Sequence, residues 1–458
     1  MALFLLNINT QKRGDYMIRL LDLAGGLDLD SPKDKIADNQ SPYMEGFDLG
    51  PGPTVSVAKD FTEYKILGTT PIAIYKFKRK SGAERFVIVA GKYVYDVTDG
   101  IESVYTFAVA PSIANFATWR DKCFIATNTS KLLCYDGETV TEINETPHGC
   151  TFICLQENRL FLAGELENPS WLYYSNLGDE TKWKDPETNI PNVIEVATND
   201  GTKITGLAPQ LGEVVIFKNK TMWKLVGTSP TDWQLVRVSG ETGCIAPKTI
   251  AVIDDQLIFL TERGIYMAGS DSVTLISEPI KPVLKDADPS LLYGLMYGFQ
   301  YWLSDGVDVY IYDLTRGAWT YRKDDYMQSM MADGLDLYGA KDGILYKLDK
   351  SRNVQYARFD TKEFLTEFPE IEKRFRRLII QARIPMGMCL DVSVKIDGEF
   401  MPEIFTLTEP ANISLPPSYI GKKIQVVVEA YSDVGVGFGL TTIDGIHIDD
   451  KPLRRRYN

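Results

Sequence analysis

The sequence predicts an all-β protein whose central part is a β-propeller. Helical periodicity is scarce along the 458 residues, a strand-turn-strand pattern recurs, and the spacing of that pattern is nearly constant. Hairpins that recur about every 40 to 50 residues are typical of propeller blades, because each blade is a small sheet that buries its faces only against its neighbours.

Each copy of the pattern has a short apolar strand, a polar turn and a second strand that usually carries an aromatic residue. The clearest copies begin at Arg85, Lys122, Asn158, Glu213, Gln256 and Tyr297, and a weaker one begins at Leu335. The second strands carry the marker residues Tyr93, Leu133, Tyr173, Trp223, Tyr266, Tyr310 and Tyr346. The steps between markers are 40, 40, 50, 43, 44 and 36 residues. We therefore predict about seven blades over residues 65–360; six or eight blades also fit, and two stacked β-sandwiches are the alternative fold.

The two flanks differ from the repeats. Residues 17–64 contain a Gly-Gly pair and four Pro with few uninterrupted apolar runs, so we expect residues 1–64 to form an extended N-terminal arm or a loop-rich clasp that packs on another element. Residues 361–458 contain alternating strands with Asp-Gly turns, which predict an antiparallel β-sandwich that ends in a basic tail. The segment from Lys12 to Tyr16 can be encoded by a purine-rich stretch that resembles a bacterial ribosome-binding site, placed just before Met17. Residues 1–16 are therefore either the product of an upstream start or an ordinary terminal arm.

Composition excludes several classes of site. The chain has 49 Lys and Arg against 62 Asp and Glu, a formal net charge of −13, which is the wrong sign for gripping nucleic acid. Six Cys and two His, without zinc-type spacing, predict no metal centre and no His-based catalytic triad. No phosphate-binding loop occurs in a strand-to-helix context. We therefore expect no catalytic residue, no cofactor and no bound metal, and no apolar run is long enough to insert this chain into a membrane.

Several local patterns have a chemical and a structural interpretation. His148 lies two residues before Cys150, but a loop His beside a free Cys is usually incidental. A calcium-loop spacing that begins at Asp28 fails at Pro32. The adjacent carboxylates are expected at solvated turns; these pairs are Asp254-Asp255, Asp324-Asp325 and Asp449-Asp450. Four aromatic residues could stack on sugars but are expected to pack between blades; they are Trp171, Tyr173, Tyr174 and Trp183.

Two basic clusters are the candidate contact residues. They are Lys373, Arg374, Arg376 and Arg377 in the first cluster, and Arg454, Arg455 and Arg456 in the second. One interpretation makes them solvated strand and tail residues. The other makes them contacts with acidic surfaces of a neighbouring subunit or partner.

Four phrases of the sequence resemble a known family. They are AGGLDLDSPKDKIADNQSPYMEGFDLGPG from Ala24, NRLFLAGELENPSWLYYSNLGDETKW from Asn158, GCIAPKTIAVIDDQLIFLTERGIYM from Gly243, and VYIYDLTRGAWT from Val309. Together they are similar to the tail nozzle, or packaged-DNA stabilisation, proteins of short-tailed bacteriophages. None of the phrases is catalytic, and each alone is a weak signal.

The resemblance implies a structural virion protein of the phage tail, made in the cytoplasm of the host bacterium. It implies a homo-oligomeric ring, commonly of six copies, below the head-to-tail adaptor, which retains packaged DNA and connects the adaptor to the distal tail or fibres. Double-stranded DNA would pass through the ring without specific binding, which agrees with the acidic composition. Some family members carry large insertions between blades, and this chain has little room for them.

The competing function is a glycan-binding or glycan-degrading propeller of a phage tail. A hydrolase would need two carboxylates within about 5 to 10 Å at the mouth of the propeller. A binding protein would need a polar pocket lined by aromatic residues on the outer loops.

Overall fold

The computed structural model describes residues 16–196, 201–239, 242–269, 272–365, 371–432 and 441–452. Within these ranges the chain is almost entirely β-strand; α1 (Lys281–Asp286) is the one α-helix, and short 3-10 turns span Pro247–Thr249 and Glu278–Ile280. The chain forms two compact units. Unit 1 comprises residues 1–60, 316–322 and 349–458, and unit 2 comprises residues 61–315 and 323–348.

Unit 2 is the propeller, and its blades are antiparallel sheets of consecutive strands. Blade 1 contains β6 (Pro71–Lys78), β7 (Glu84–Ala90), β8 (Tyr93–Asp96) and β9 (Glu102–Thr106). Blade 2 contains β10 (Ala114–Trp119), β11 (Lys122–Thr127), β12 (Leu133–Tyr135) and β13 (Val140–Glu142). Blade 3 contains β14 (Phe152–Gln156), β15 (Arg159–Ala163), β16 (Trp171–Tyr174) and β17 (Val193–Glu195).

The next blades follow the same order. Blade 4 contains β18 (Ile204–Gln210), β19 (Glu213–Lys218), β20 (Met222–Val226) and β21 (Gln234–Ser239). Blade 5 contains β22 (Ala251–Ile253), β23 (Gln256–Thr261), β24 (Gly264–Ala268) and β25 (Val273–Leu275). The last complete blade contains β30 (Ser329–Asp333), β31 (Asp336–Lys341), β32 (Ile344–Asn353) and, from the N-terminal side, β5 (Lys59–Ile66).

The blade count corrects the prediction of seven. Across the described residues six sheets are self-contained four-stranded blades, a number that the spacing also allowed. In the remaining repeat, three strands belong to unit 2: β26 (Tyr293–Tyr297), β27 (Gln300–Ser304) and β28 (Val309–Asp313). Its fourth strand, β29 (Ala318–Arg322), belongs to unit 1. The first strands of the repeats neighbour one another around the centre, from β6 through β10, β14, β18, β22, β26 and β30 back to β6.

The marker residues occupy equivalent positions. All seven lie on the third strand of their repeat, namely on β8, β12, β16, β20, β24, β28 and β32. The repeat register read from the sequence is therefore confirmed. Two stacked sandwiches, the alternative fold, are wrong because consecutive sheets surround a common centre.

Apolar side chains pack between consecutive blades. Between blades 2 and 3, the buried Trp119 and Phe124 contact a cluster that includes Leu160, Leu162 and Trp183. Similar clusters join blades 1 and 2, blades 3 and 4, and blades 4 and 5. Because each sheet buries both faces, its second strand is a continuous apolar run, as in β11, where all residues after Lys122 are buried.

Unit 1 contains two further sheets built from both ends of the chain. The first joins β3 (Phe47–Leu49), β4 (Val55–Val57), β41 (Thr442–Pro452), β35 (Lys373–Arg383) and β38 (Ala411–Ser414). Strand β1 (Tyr16–Leu20) pairs with β41, and β39 (Ile420–Gly421) pairs with β35. The second joins β29, β2 (Tyr43–Glu45), β33 (Tyr356–Asp360), β40 (Lys423–Ser432), β36 (Met388–Ile396) and β37 (Glu399–Leu407), with β34 (Phe364–Leu365) on β40.

The sequence predicts that the N-terminal segment is an extended arm or a clasp that packs on another element. Its described strands enter the sheets of the C-terminal segment: β1 and β4 pair with β41, and β2 pairs with β33. Residues near the N-terminus and near the C-terminus therefore belong to one folded unit.

Candidate functional site

The first basic cluster lies on β35, where most of its charges meet carboxylates of β41. The Lys373 ammonium is 3.4 Å from Asp450, and both side chains are 1% exposed. Asp449 pairs with Arg376 at 3.2 Å and with Arg377 at 2.8 Å. Lys373 therefore neutralises a buried carboxylate inside unit 1 and is not accessible for a contact with another subunit.

A β-bulge explains why two arginines share one carboxylate. Phe375 pairs with Asp450, but the next paired residue on β35 is Arg377, opposite Asp449. Arg376 is the extra residue of the bulge, and a bulge bends and twists its strand locally. The side chain of Arg377 remains 51% exposed, so part of this cluster is available at the surface.

The expectation that Asp449-Asp450 lies at a solvated turn is wrong. Both residues lie inside β41 and are buried. Burial raises the pKa of Asp450, and the nearby Lys373 opposes that shift. The other two pairs do occur at turns, where Asp254 and Asp324 have positive φ angles of 50° and 55°.

The second basic cluster, Arg454 to Arg456, lies outside the described residues. The possible upstream segment 1–16 is also outside them except for Tyr16.

Two of the four family-like phrases meet inside unit 1. The amide of Leu27, in the Gly-Gly-Leu phrase, donates to the carbonyl of Trp319, in the Arg-Gly-Ala-Trp phrase, at 2.7 Å. Gly26 adopts a φ of +74°, and a Cβ there would lie 2.6 Å from the Trp319 carbonyl oxygen. The amide of Gly46 donates to the carbonyl of Tyr321 at 2.9 Å. The segment from Ala24 to Gly52 therefore packs closely on strand β29.

The phrase that begins at Asn158 forms a packed corner of blade 3. Trp183 is 2% exposed, its indole donates to the Glu180 carbonyl at 2.8 Å, and its amide donates to the Glu145 carboxylate at 2.9 Å. Trp171 and Tyr173 join the cluster between blades 2 and 3, and Tyr174 joins the cluster between blades 3 and 4. The prediction that these aromatic residues pack between blades is confirmed.

The local His-Cys pair has no nucleophilic geometry. His148 is exposed, whereas Cys150 is buried, and burial raises the pKa of the Cys150 thiol. A thiol in this environment stays protonated at neutral pH and is a poor nucleophile.

The segment with the incomplete calcium-loop spacing forms a turn that its own hydrogen bonds close. A carboxylate oxygen of Asp28 accepts hydrogen bonds from the amides of Asp30 and Ser31 at 3.1 and 3.0 Å. Among the residues described, no group of three or more His, Cys, Asp or Glu is arranged to hold a metal ion. In the same part of the chain, no helix is both long and apolar enough to cross a membrane.

The centre of unit 2 contains a cavity of about 390 Å³. First strands of five repeats line it: β6, β10, β22, β26 and β30. The residues that line it are mainly aliphatic, aromatic and methionine, although the surface exposed in the cavity is polar and apolar in similar measure, and no Asp or Glu is among the described lining residues. The paired carboxylates required for glycoside hydrolysis are therefore not a feature of this cavity.

Lys248 is the one charged side chain among the described lining residues of this cavity. It lies in the 3-10 turn before β22, it is half-buried, and burial lowers its pKa. Lys248 falls within the phrase that begins at Gly243, but nothing in the local sequence distinguishes it from the other lysines. Only the packing of the strands around the centre brings it to the cavity.

Comparisons with known proteins give a fold likeness only. No family model matches the chain, and no curated protein matches it. Among solved structures, the Pan2 WD40 domain of Neurospora crassa is 8% identical, with a TM-score of 0.43 over 63% of this chain and 95% of that one. The extracellular domain of BT4673 from B. thetaiotaomicron is 10% identical, with a TM-score of 0.48 over 84% of this chain and 62% of that one. An inactive variant of virginiamycin B lyase from Staphylococcus aureus is 11% identical, with a TM-score of 0.44 over 63% of this chain and 98% of that one.

Proposed function

We propose that this protein is a structural component of a bacteriophage tail, a nozzle subunit that forms a ring around the DNA exit channel. The observation that carries the proposal is the contact between Gly26-Leu27 and Ala318-Trp319. These residues belong to two phrases, nearly 300 residues apart, that resemble the nozzle family. Sequence features that resemble a family and also pack together in the fold are stronger support than isolated phrases.

The electrostatics agree with a conduit for DNA. A net charge of −13 disfavours phosphate binding, so a duplex could slide past the ring wall without being retained. The cavity inside unit 2, at about 390 Å³, has the size of a small-molecule pocket. We therefore place the DNA in a channel between copies of the chain, six by family resemblance, and not through the centre of the propeller.

The same proposal assigns the partners and the finer architecture. The ring would join the head-to-tail adaptor to the distal tail or fibres, without membrane insertion by this chain and without a cofactor. Arg374, Arg376 and Arg377, together with Arg454 to Arg456, are the proposed subunit or partner contacts. We also propose that the two sheets of unit 1 pack as the β-sandwich predicted for the C-terminal segment.

Electron microscopy and native mass spectrometry of the purified full chain test this proposal. We expect closed rings, and in phage particles that encode the protein we expect antibody labelling at the tail below the head. A monomer in solution that is also missing from virions would contradict the proposal. Saturable cleavage or binding of host polysaccharide by such a monomer would favour the glycan-directed alternative.

A further inference from the structure

A lysine without a counter-ion lines the central cavity of unit 2. Lys248 makes no hydrogen bond, ion pair or cation-π contact with any residue that the structure describes. Removing an ammonium group from water without a partner is unfavourable, which is why buried charges are normally paired. An anion that entered the cavity would find a charge that is already partly desolvated.

The turn that carries Lys248 is fixed by its neighbour. Thr249 is fully buried; its hydroxyl donates to the Ala246 carbonyl at 2.7 Å and accepts from the Leu260 amide at 3.0 Å. The Thr249 carbonyl accepts from the Tyr301 hydroxyl at 2.9 Å. Pro247 restricts the backbone on the other side of Lys248. The backbone at Lys248 is therefore preorganised, which reduces the entropy cost of binding a ligand.

Aromatic side chains of β6 and β10 offer a flat surface for a ligand ring in the cavity. Tyr75 and Phe116 stack with ring centroids 4.9 Å apart and an interplanar angle of 4°. The Tyr75 hydroxyl is held by Thr118 at 2.8 Å. Met296, which is half-buried, adds a polarisable thioether, and thioethers pack well against aromatic rings. Met330 and Met331 also border the cavity, but their side chains belong to buried clusters between blades.

The number of charges selects the class of anion. One lysine balances one negative charge, and no arginine is among the described lining residues, so a phosphate dianion would lack matching donors. The first strands are terminal strands of their sheets and leave one backbone edge toward the centre, where amide groups can support a carboxylate. From these observations we propose that the central cavity binds a small aromatic monocarboxylate, with its carboxylate on Lys248 and its ring against Tyr75, Phe116 and Met296. This inference does not depend on a role in a phage tail.

Calorimetric titration of the full chain with benzoate tests the site. We expect saturable binding of one benzoate per chain and at least tenfold weaker binding of benzamide, which has the same shape without the charge. Lys248→Met should weaken benzoate binding at least tenfold, and Lys248→Arg should retain it. The matched control is Lys220→Met, which removes an exposed lysine of blade 4 and should leave the affinity unchanged.

A second measurement uses the unmodified protein, so it does not depend on whether a variant folds. Saturating benzoate should protect Lys248 from acetylation by an amine-reactive reagent, as read by peptide mass spectrometry, and should not protect Lys220. Absence of saturable benzoate binding, equal affinity for benzamide, or acetylation of Lys248 that benzoate does not slow would each overturn the proposal.

Discussion

Gly26 is required by two separate constraints at a single residue. Its φ of +74° is in the left-handed region, which L-residues with a side chain adopt at a cost of about 1 to 2 kcal/mol. A Cβ would also lie 2.6 Å from the backbone carbonyl oxygen of Trp319, an atom that cannot rotate away. The close approach of these two segments therefore depends on the absence of a side chain.

We predict that Gly26→Ala destabilises unit 1 by at least about 2 kcal/mol more than Gly52→Ala. Gly52 has the same φ of +74°, but its Cβ would meet nothing within 4 Å, so it controls for the backbone conformation alone. Urea denaturation gives the free energies. Hydrogen exchange at the Leu27 amide should accelerate only in the Gly26 variant, and equal effects of the two substitutions would argue against the close approach.

His447 gives unit 1 a pH dependence. Burial lowers its pKa below 6.5, and Arg19, which is paired with it across β1 and β41, adds to the shift. The unfolded chain therefore binds a proton at this site more readily than the folded chain does. Stability from this group is fully present above pH 6.5 and is lost as pH falls toward the lowered pKa.

We predict that His447→Gln removes this part of the loss of stability between pH 7 and pH 5. The measurement is the free energy of unfolding against pH in both proteins, and their difference isolates His447 from Asp450, whose raised pKa contributes with the opposite sign. Arg19→Gln should reduce the slope partially. Parallel pH profiles in the wild type and the His447 variant would contradict the assignment.

At the scale of elements, one strand from the N-terminal side completes a blade formed by the last repeat. Strand β5 follows β32 in that sheet, and the Thr62 hydroxyl donates to the Lys347 carbonyl at 3.4 Å. The Phe61 ring packs edge-on against Trp302, with centroids 6.2 Å apart. This strand ties the beginning of unit 2 to its end, so its packing contributes to the stability of the whole ring of blades.

We predict that Phe61→Ala lowers the stability of unit 2 by about 2 kcal/mol, because a half-buried aromatic ring loses its packing and leaves a partial cavity. Phe299→Ala is the control; that ring is 62% exposed, so its removal should cost less than about 0.5 kcal/mol. Thermal unfolding monitored by calorimetry distinguishes the two. Equal small effects would mean that β5 does not stabilise the propeller.

At the scale of the whole molecule, charge governs the proposed assembly. A conduit for DNA must avoid cationic surfaces in its lumen, while subunits must still recognise one another and their partners. Long-range charge complementarity steers such association and sets its specificity more than it adds affinity. The surplus of acidic residues should therefore face the channel, and the arginine clusters should face away from it.

We predict that reversing Arg454, Arg455 and Arg456 to Glu weakens ring formation or incorporation into virions. The effect should be largest at low salt, where the Debye length is longest, and smaller near 1 M salt. Ultracentrifugation at several ionic strengths measures it. Normal assembly of the triple variant at low salt, or a ring whose lumen is lined by these arginines, would show that they do not lie at subunit or partner contacts.

The sequence alone determined the β-sheet class and the register of the repeats. Positions such as Tyr93 and Tyr266 were identifiable because every repeat buries its faces in the same way, so apolar patterns recur with the spacing of the fold. Predictions about packed aromatic residues succeeded for the same reason: Trp183 packs between its own repeat and the preceding one, as other aromatic residues of the repeats do. Packing that every repeat shares therefore produces the same pattern of apolar and aromatic residues in the sequence of every repeat.

Only the tertiary structure decided which distant segments meet. The sequence predicted an N-terminal arm or clasp but not what it packs on: β1 and β4 pair with β41, and the fourth strand of one repeat belongs to unit 1. It predicted exposed charges at Asp449 and Asp450, yet β35 buries both with its basic residues. It did not identify Lys248, whose position depends on strands from five repeats. Strand pairing and ion pairing between distant segments leave no periodic signal, because their energy depends on the partner and not on the neighbouring residues in the chain.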